Sequence, residues 1–313
     1  MRNGQIRDFD ELLAYAARLP RQRVILIYPN NFETLSAVAQ AQKTLRMQFI
    51  LVGDKHIIEH GLEAQKLRSK DTEIVHEPDV QAALRTAIEL ARDGKGNILM
   101  KGSVDTSTMM KEVLQEASGM RTGRLLSDIF MLEYPPRRGS KFVMITDGGM
   151  TLAPGLKNKM ELIRNAVEVA HALGNKNPKV AILSATEFVL PNLPSTLDAA
   201  ALAKMNERGQ IKGCTIDGPL ALDNALSPDA AKEKRIKSPV AGKAEILVAA
   251  NIESANSLAK GTTYFGSLRL AHVIVGARVP ILIPSRADKA DARLLSIALG
   301  MIMSRALSER VDD

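Results

Sequence analysis

In ILIPSRADKADARLLSIALG (residues 281–300), an apolar run over residues 279–283 hands the chain to Ser285, Arg286, Asp288 and Asp291. A hydroxyl, a guanidinium and two carboxylates at the end of a strand can serve in two ways. They can cap the helix that follows, where an Asp is stabilising in any case. They can also bind an anion and move a proton. Other loops offer related chemistry. KGSVDTSTMMKEVLQEA (residues 101–117) supplies Lys101, a turn-permitting Gly102, and Ser103, Thr106 and Ser107 to cap a helix starting near Thr106 or Ser107. Such a helix start binds phosphate through its free N–H groups, and routine capping is the alternative. Arg121 and Arg124 flank Thr122 and Gly123 before a further apolar run, where guanidiniums can grip an anion bidentately or simply stay solvated. Asp147 ends an apolar run ahead of Gly148 and Gly149, which allow a ligand close to the backbone, and Ser184 closes another run. No GxxxxGK[ST] or strand-linked GxGxxG occurs.

Apolar runs that read as strands alternate with segments of helical period almost from end to end. They include RVILIYP, MQFILVGD, EIVHE, NILMKG, DIFMLEYP, KFVMITDGG, KVAILSA, GCTIDGPLA, AEILVAA and AHVIVGARVPILI, the last taken as a single strand. Between them lie Ala-rich stretches such as LKNKMELIRNAVEVAHALG, where Gly174 is placed to end the helix. Strands apolar on both faces and joined by helices predict an α/β fold with mostly parallel sheets covered on both sides. In such sheets ligands gather beyond the carboxyl ends of the strands, where the loops above lie. At 313 residues two domains are expected, and PPRRGSK (residues 135–141) is the best internal boundary.

Composition narrows the function. Hydrophobic residues make up 45% and charged residues 25%, as in ordinary soluble domains. No apolar stretch approaches the roughly 20 residues that cross a bilayer, and the charged N-terminus has no signal-peptide core, so a cytoplasmic protein is expected. A net charge of +7 favours anionic partners. Nucleic acid fits poorly, because there is no Trp, only 4 Tyr and 7 Phe, and no dense basic tract. A small, highly charged metabolite fits better. The single Cys214 rules out an internal disulfide or a multi-cysteine metal site and reads as a packed thiol. His56 and His60 share i, i+4 spacing without a third ligand nearby, and His76, His171 and His272 complete no metal or triad pattern.

Seven ordered segments, MKGSVDTSTMMKEVL, RTGRLLSDIFMLEYP, ITDGGMTLAP, SATEFVLPNLPSTLDAAALAKM, IDGPLALDNALSPDAAKEK, SPVAGKAEILVAANIESANSLAKG and VPILIPSRADKADARLLSIAL, resemble the phosphate acetyltransferase and phosphate butyryltransferase family. The likeness runs from about residue 26 to 303, and DGPLALDNALS and SPVAGKAEILVAANIE look more like the butyryltransferase branch. It implies reversible transfer of a short acyl group, butyryl or acetyl, between coenzyme A and inorganic phosphate. Coenzyme A and acyl phosphate would be substrates, with no metal and no permanently bound cofactor. It further implies two α/β domains with an interdomain cleft, similar to isocitrate and isopropylmalate dehydrogenases. The first would be residues 1–138 completed by C-terminal helices at 284–313, and the second residues 139–283. A homodimer or larger homo-oligomer is usual for the family.

Carried onto this chain, the family's Ser-Arg pair is Ser285 and Arg286, with Arg286 holding the phosphate and Ser285 supporting the tetrahedral transition state. A thiol of pKa roughly 8.5 needs an acid–base group within reach. In the acetyltransferase branch the catalytic Asp follows the Arg by six positions, which here is Ala292. Asp291, at five, is the expected base ahead of Asp288, at two, although one residue on a helix turns a side chain by about 100°. Lys101, Gly102, Ser103, Thr106, Arg121, Arg124, Asp147 and Ser184 are the expected substrate-binding residues, the two arginines for the phosphates of coenzyme A. Two other readings compete: a coenzyme A or acyl-phosphate-binding module with weakened chemistry, kept open by Ala292, and a metal-dependent dehydrogenase of similar fold, which would need clustered acids that the sequence scatters singly.

Overall fold

The computed structural model describes residues 4–67, 70–135 and 141–311, the side chains of 310 and 311 excepted. Within them run eleven strands: β1 (Arg23–Ile27), β2 (Gln48–Gly53), β3 (Thr72–His76), β4 (Ile98–Lys101), β5 (Ser127–Tyr134), β6 (Lys141–Thr146), β7 (Lys179–Leu183), β8 (Thr215–Leu220), β9 (Ile246–Val248), β10 (Leu270–Val275) and β11 (Ile281–Leu282). Eleven α-helices accompany them: α1 (Phe9–Ala16), α2 (Phe32–Leu45), α3 (Lys55–Ala64), α4 (Val80–Arg92), α5 (Thr106–Leu114), α6 (Leu156–Ala172), α7 (Pro194–Glu207), α8 (Leu222–Leu226), α9 (Pro228–Glu233), α10 (Ile252–Tyr264) and α11 (Ala290–Val311). The chain is α/β with mostly parallel pairing, as its two-sided apolar strands predict. No described helix is long and apolar enough to cross a membrane.

Contacts gather the chain into two compact units, Phe9–Arg124 with Ala271–Asp313 and Met1–Asp8 with Leu125–Leu270. The sequence places the divisions at 138/139 and 283/284 instead. Of PPRRGSK, residues 136–140 lie outside the described ones. The units divide about one strand earlier because β5 pairs with β6, from Phe130↔Ile145 to Tyr134↔Lys141. At the other end β10 pairs with β11 and β11 with β4, which moves that division ahead of β10.

In the first unit the strand order is β3-β2-β1-β4-β11-β10, parallel except for β10. β1 is RVILI and β4 is ILMK; both are buried nearly throughout, with α4 packed on both strands and α11 on β4. Asn31 caps α2 by accepting from Thr34 N at 2.8 Å, and Asp79 caps α4 in the same way. The run AHVIVGARVPILI is not one strand. It reverses at Gly276, whose φ of +100° suits a residue without a side chain, so β10 and β11 are antiparallel neighbours.

In the second unit the order is β5-β6-β9-β7-β8, parallel except for β5. Phe130, Leu132, Val143, Ile145 and Leu247 form the centre of its core with Ala255 and Ala259 of α10. α6 buries Leu162, Ile163, Ala166 and Ala170, and Gly174 follows it with φ +87°, as the sequence predicts. An Asn251–Ser254 capping box starts α10.

Candidate active site

Three parallel strands of the first unit, β1, β4 and β11, finish at the same end of its sheet. The register pairs Ile27 with Lys101 and Leu282 with Met100, so residues leaving β4 and β11 emerge side by side. Gly102 N donates to Ile27 O at 2.8 Å and Ser103 N to Tyr28 O at 2.8 Å, extending β4's attachment to β1 past its last residue. A Cβ on Gly102 would lie 2.5 Å from the Tyr28 carbonyl oxygen, so only glycine fits. Lys101 is buried, and its Nζ donates to Val104 O at 3.2 Å. Burial pulls its pKa down, and the neighbouring charges of Arg293 and Arg286 pull it further, against Asp105 and Asp288.

α5 begins at Thr106, where the sequence places it, but Ser103, Thr106 and Ser107 do not cap it. The N-cap residue is Asp105, and its side chain makes no capping bond. Arg286 is the reason: its Nη2 donates to Asp105 Oδ1 at 2.6 Å, a charge-assisted bond that takes the carboxylate away from the helix N–H groups. Ser103 Oγ accepts from Asn31 Nδ2 at 3.0 Å. Both partners of the Arg286–Asp105 pair are largely exposed, at 77% and 66%, so water screens the pair and an anion can compete for the guanidinium.

The turn that presents Arg286 is held from several sides. Asp288 N donates to Ser285 O at 3.1 Å, and Ser285 N donates to Asp288 Oδ2 at 2.8 Å. From the first turn of α11, Arg293 Nε donates to Asp288 O at 3.2 Å and Nη2 to Ser285 O at 3.0 Å. Glu33 of α2 accepts from Ala290 N at 2.8 Å and so caps α11 from a distant part of the sequence. His272 of β10 approaches from inside, its Nε2 4.0 Å from Asp288 Oδ2, too far for a hydrogen bond. Ser285 and Arg286 remain exposed, as does Asp291, in the first turn of α11 and without a hydrogen-bond or ion-pair partner among the described residues. The arrangement offers an exposed guanidinium and a hydroxyl on one turn, with the charges of buried Lys101 and Arg293 behind them and a carboxylate close in sequence. That is a set suited to a phosphate-bearing substrate.

In the second unit Asp147 and Ser184 follow β6 and β7 at the carboxyl ends of parallel strands. Asp147 is buried, and its carboxylate turns inward. Oδ1 accepts from the backbone N–H of Asp128, Gly149 and Met150 at 3.0–3.1 Å, and Oδ2 from Thr151 N at 2.8 Å. Burial, aided by Asp128, raises its pKa to about 6 even against these bonds. Its observed partners are therefore those of a group that shapes the loop 147–151. Ser184 Oγ shares a 2.8 Å hydrogen bond with Ser195 Oγ at the start of α7.

Of the residues expected at a site, the structure gathers Lys101, Gly102, Ser103, Thr106, Ser285, Arg286 and Asp288 at one end of the first unit's sheet. Arg121 does not join them. It bridges to Ala277, beyond the C-terminal end of β10, and β10 runs antiparallel to β11. Arg121 therefore lies at the opposite end of those strands from Ser285. Arg124 follows three residues on, its N–H donating to Thr122 Oγ1 at 3.4 Å. Cys214 is buried with its pKa raised to about 11, which fits a packed thiol. His56 and His60 are exposed on α3, and His171 Nε2 is hydrogen-bonded to Gly213 O at 2.8 Å. Among the described residues no group of three His, Cys, Asp or Glu is placed to hold a metal. Sequence reasoning missed Asp105, Glu33 and Arg293. Only Arg293 left a trace: a charge falling on the buried stripe that includes Ala290, Leu294, Ile297 and Met301.

The chain has recognisable relatives. A model of the phosphate acetyl/butaryl transferase family matches residues 53–301. A phosphate butyryltransferase of Clostridium acetobutylicum is 39% identical over 96% of this chain and 99% of its own. A phosphate acetyltransferase of Thermotoga maritima is 38% identical over 95% of this chain and 100% of its own. Among solved structures, a branched-chain phosphotransacylase from Enterococcus faecalis V583 aligns with a TM-score of 0.79 at 31% identity, covering 90% of this chain and 99% of that one.

Proposed function

Since the chain belongs to the phosphate acetyl/butyryltransferase family, we propose that the exposed Ser285–Arg286 turn is the centre at which it works. The protein is a phosphate acyltransferase, moving a short acyl group reversibly between coenzyme A and inorganic phosphate. Its relatives carry transferase names, and neither a weakened binding module nor a metal-dependent dehydrogenase gains support.

The observation that carries the site is an Arg286 guanidinium tied, among the described residues, by one solvent-exposed pair, beside the Ser285 hydroxyl and level with the end of β4. In the forward step Arg286 exchanges Asp105 for the phosphate oxygens of the acyl phosphate. The coenzyme A thiol gives its proton to a carboxylate, its sulfur bonds the acyl carbon, and the tetrahedral oxyanion accepts a hydrogen bond from Ser285 Oγ. The bond from the acyl carbon to the phosphate oxygen then breaks, and phosphate leaves with Arg286. We assign the proton to Asp291, since its carboxylate is exposed and unengaged while Asp288 braces the turn. Lys101, with Gly102, Ser103 and Thr106, lines the anion end. Arg121 and Arg124 are left out of this assignment.

Of the acyl groups we favour butyryl, on the resemblance of DGPLALDNALS and SPVAGKAEILVAANIE to that branch; relatives of both names stand at similar identity. We further take the protein to be cytoplasmic, needing no permanently bound cofactor, and to work as a homo-oligomer. Tyr264 and Phe265 at the end of α10, 69% and 95% exposed, support the last point, since large apolar groups left together on a surface commonly meet a partner. The deciding experiment follows thiol loss with coenzyme A and acetyl or butyryl phosphate, chelator present, on material of known molar mass. Turnover fastest with butyryl phosphate supports this reading. Faster turnover with acetyl phosphate reverses the branch, and no turnover with either removes the assignment.

A further inference from the structure

We propose that Arg293 is a positioning residue for the acyl transfer, its buried guanidinium fixing the direction in which Ser285 Oγ and Arg286 leave their turn. The inference rests on the assignment of Ser285 and Arg286 to the reaction. Arg293 lies in the first turn of α11, on the face that buries Leu294, Ile297 and Met301, and is only 2% exposed. An aliphatic side chain would satisfy the helix there. A cation in that place is costly unless its donors are used, so its partners show what it is for. Nε takes the carbonyl of Asp288 and Nη2 that of Ser285, the two ends of the turn that carries Arg286. A planar fork can hold two carbonyls at a fixed separation; an ammonium cannot.

The turn has a second brace in Asp288, which closes it through the Ser285 N–H. The Asp288 ring sets its curvature, whereas Arg293 ties it to α11, which is anchored in turn by Glu33 at Ala290 N. Nη1 of Arg293 is buried without a partner among the described groups, so the side chain is not fully satisfied by its structural bonds. Its charge also bears on Lys101, whose pKa it helps to lower, so the positive field at the anion end draws on a residue that no substrate need touch. Small displacements matter in such a site, since a misplacement of about 1 Å can cost roughly 10²-fold in rate.

The test compares Arg293→Lys, Arg293→Met and Arg293→Ala with wild type and Arg286→Ala, using butyryl phosphate and coenzyme A, with thermal unfolding measured on each. Folded Arg293→Met is expected to lose about 10²-fold in kcat while KM for butyryl phosphate moves less than about threefold, because orientation is lost rather than binding. Arg293→Lys should lose less, and added guanidinium ion should restore part of the Arg293→Ala rate. Folded variants with kcat within threefold of wild type would overturn the proposal. So would losses that merely track the unfolded fraction, or failure of both Arg293→Lys and Arg293→Met to fold, because the role would then be purely structural. Full activity in Arg286→Ala would instead remove the site itself. An inactive Arg286→Ala beside unaffected Arg293 variants would remove this inference alone.

Discussion

Each unit ends its parallel strands in a loop with a carboxylate, and the two loops use it in opposite ways. After β6, Asp147 turns inward and takes four backbone N–H groups, so its loop is closed on itself. After β11, Asp288 takes one backbone N–H, and the neighbouring Arg286 bonds Asp105 directly in a solvent-exposed pair. A carboxylate saturated by buried amides builds a loop. A charge paired where water can reach it is available for exchange. The contrast indicates that position at a strand's carboxyl end locates a candidate residue, but the state of its hydrogen bonds shows whether it faces a substrate or its own backbone.

The largest effect is expected at Arg286. Arg286→Ala should lower kcat/KM by about 10²–10³-fold, the effect of removing a preorganised stabilising donor, while the melting temperature barely moves because the lost pair is exposed. A stable, fully active variant would place the chemistry elsewhere. Next comes the proton: Asp291→Asn is expected to reduce kcat about 10²-fold and Asp288→Asn less, as steady-state kinetics would show. The reverse order would give the acid–base role to Asp288 and make its bond to Ser285 N part of the chemistry.

Asp147→Asn acts on the closed loop of the second unit. An amide keeps one oxygen but turns an N–H₂ towards the Thr151 N–H, so a loss of about 2–3 kcal/mol in stability is expected from thermal or denaturant unfolding. The pH dependence gives a separate signature. The folded pKa of about 6 lies above the ordinary carboxylate value, so the folded state binds the proton more tightly. The contribution of Asp147 is present in full below about pH 4 and is lost as pH rises through about 6. Wild-type stability measured against pH should carry that downward component, and Asp147→Asn should lack it. The smallest effect is expected for Arg121→Gln and Arg124→Gln: a KM for coenzyme A within about twofold of wild type, since neither is assigned to the site. A tenfold rise in either would reinstate them.

The alternation of elements was legible because strands such as RVILI and KFVMIT are apolar on both faces, a pattern that burial alone enforces. Gly174 and the start of α5 were legible for the same local reason: each is set by residues within a few positions. What escaped depends on partners far along the chain. Asp105 stops acting as a cap because Arg286 lies 181 residues away, and Glu33 serves a helix that begins 257 residues later. β10 and β11 read as one strand because their residues are equally apolar, and nothing local to that run announces that β11 pairs with β4. Arg121 reads as an anion ligand by type, and sheet direction, which no short window contains, sets it at the opposite end of β10 and β11 from Ser285.

Gly102 sets a limit that concerns the history of such a sequence more than its chemistry. With its missing Cβ pressed against the Tyr28 carbonyl, a single extra carbon would wedge β4 away from β1, and Lys101 and Ser103 would move together. Variation at this site is thus channelled: acyl preference can drift through residues that face a substrate, but the floor on which they stand admits no gradual change. A descendant with a new specificity would be expected to differ around position 102 and never at it.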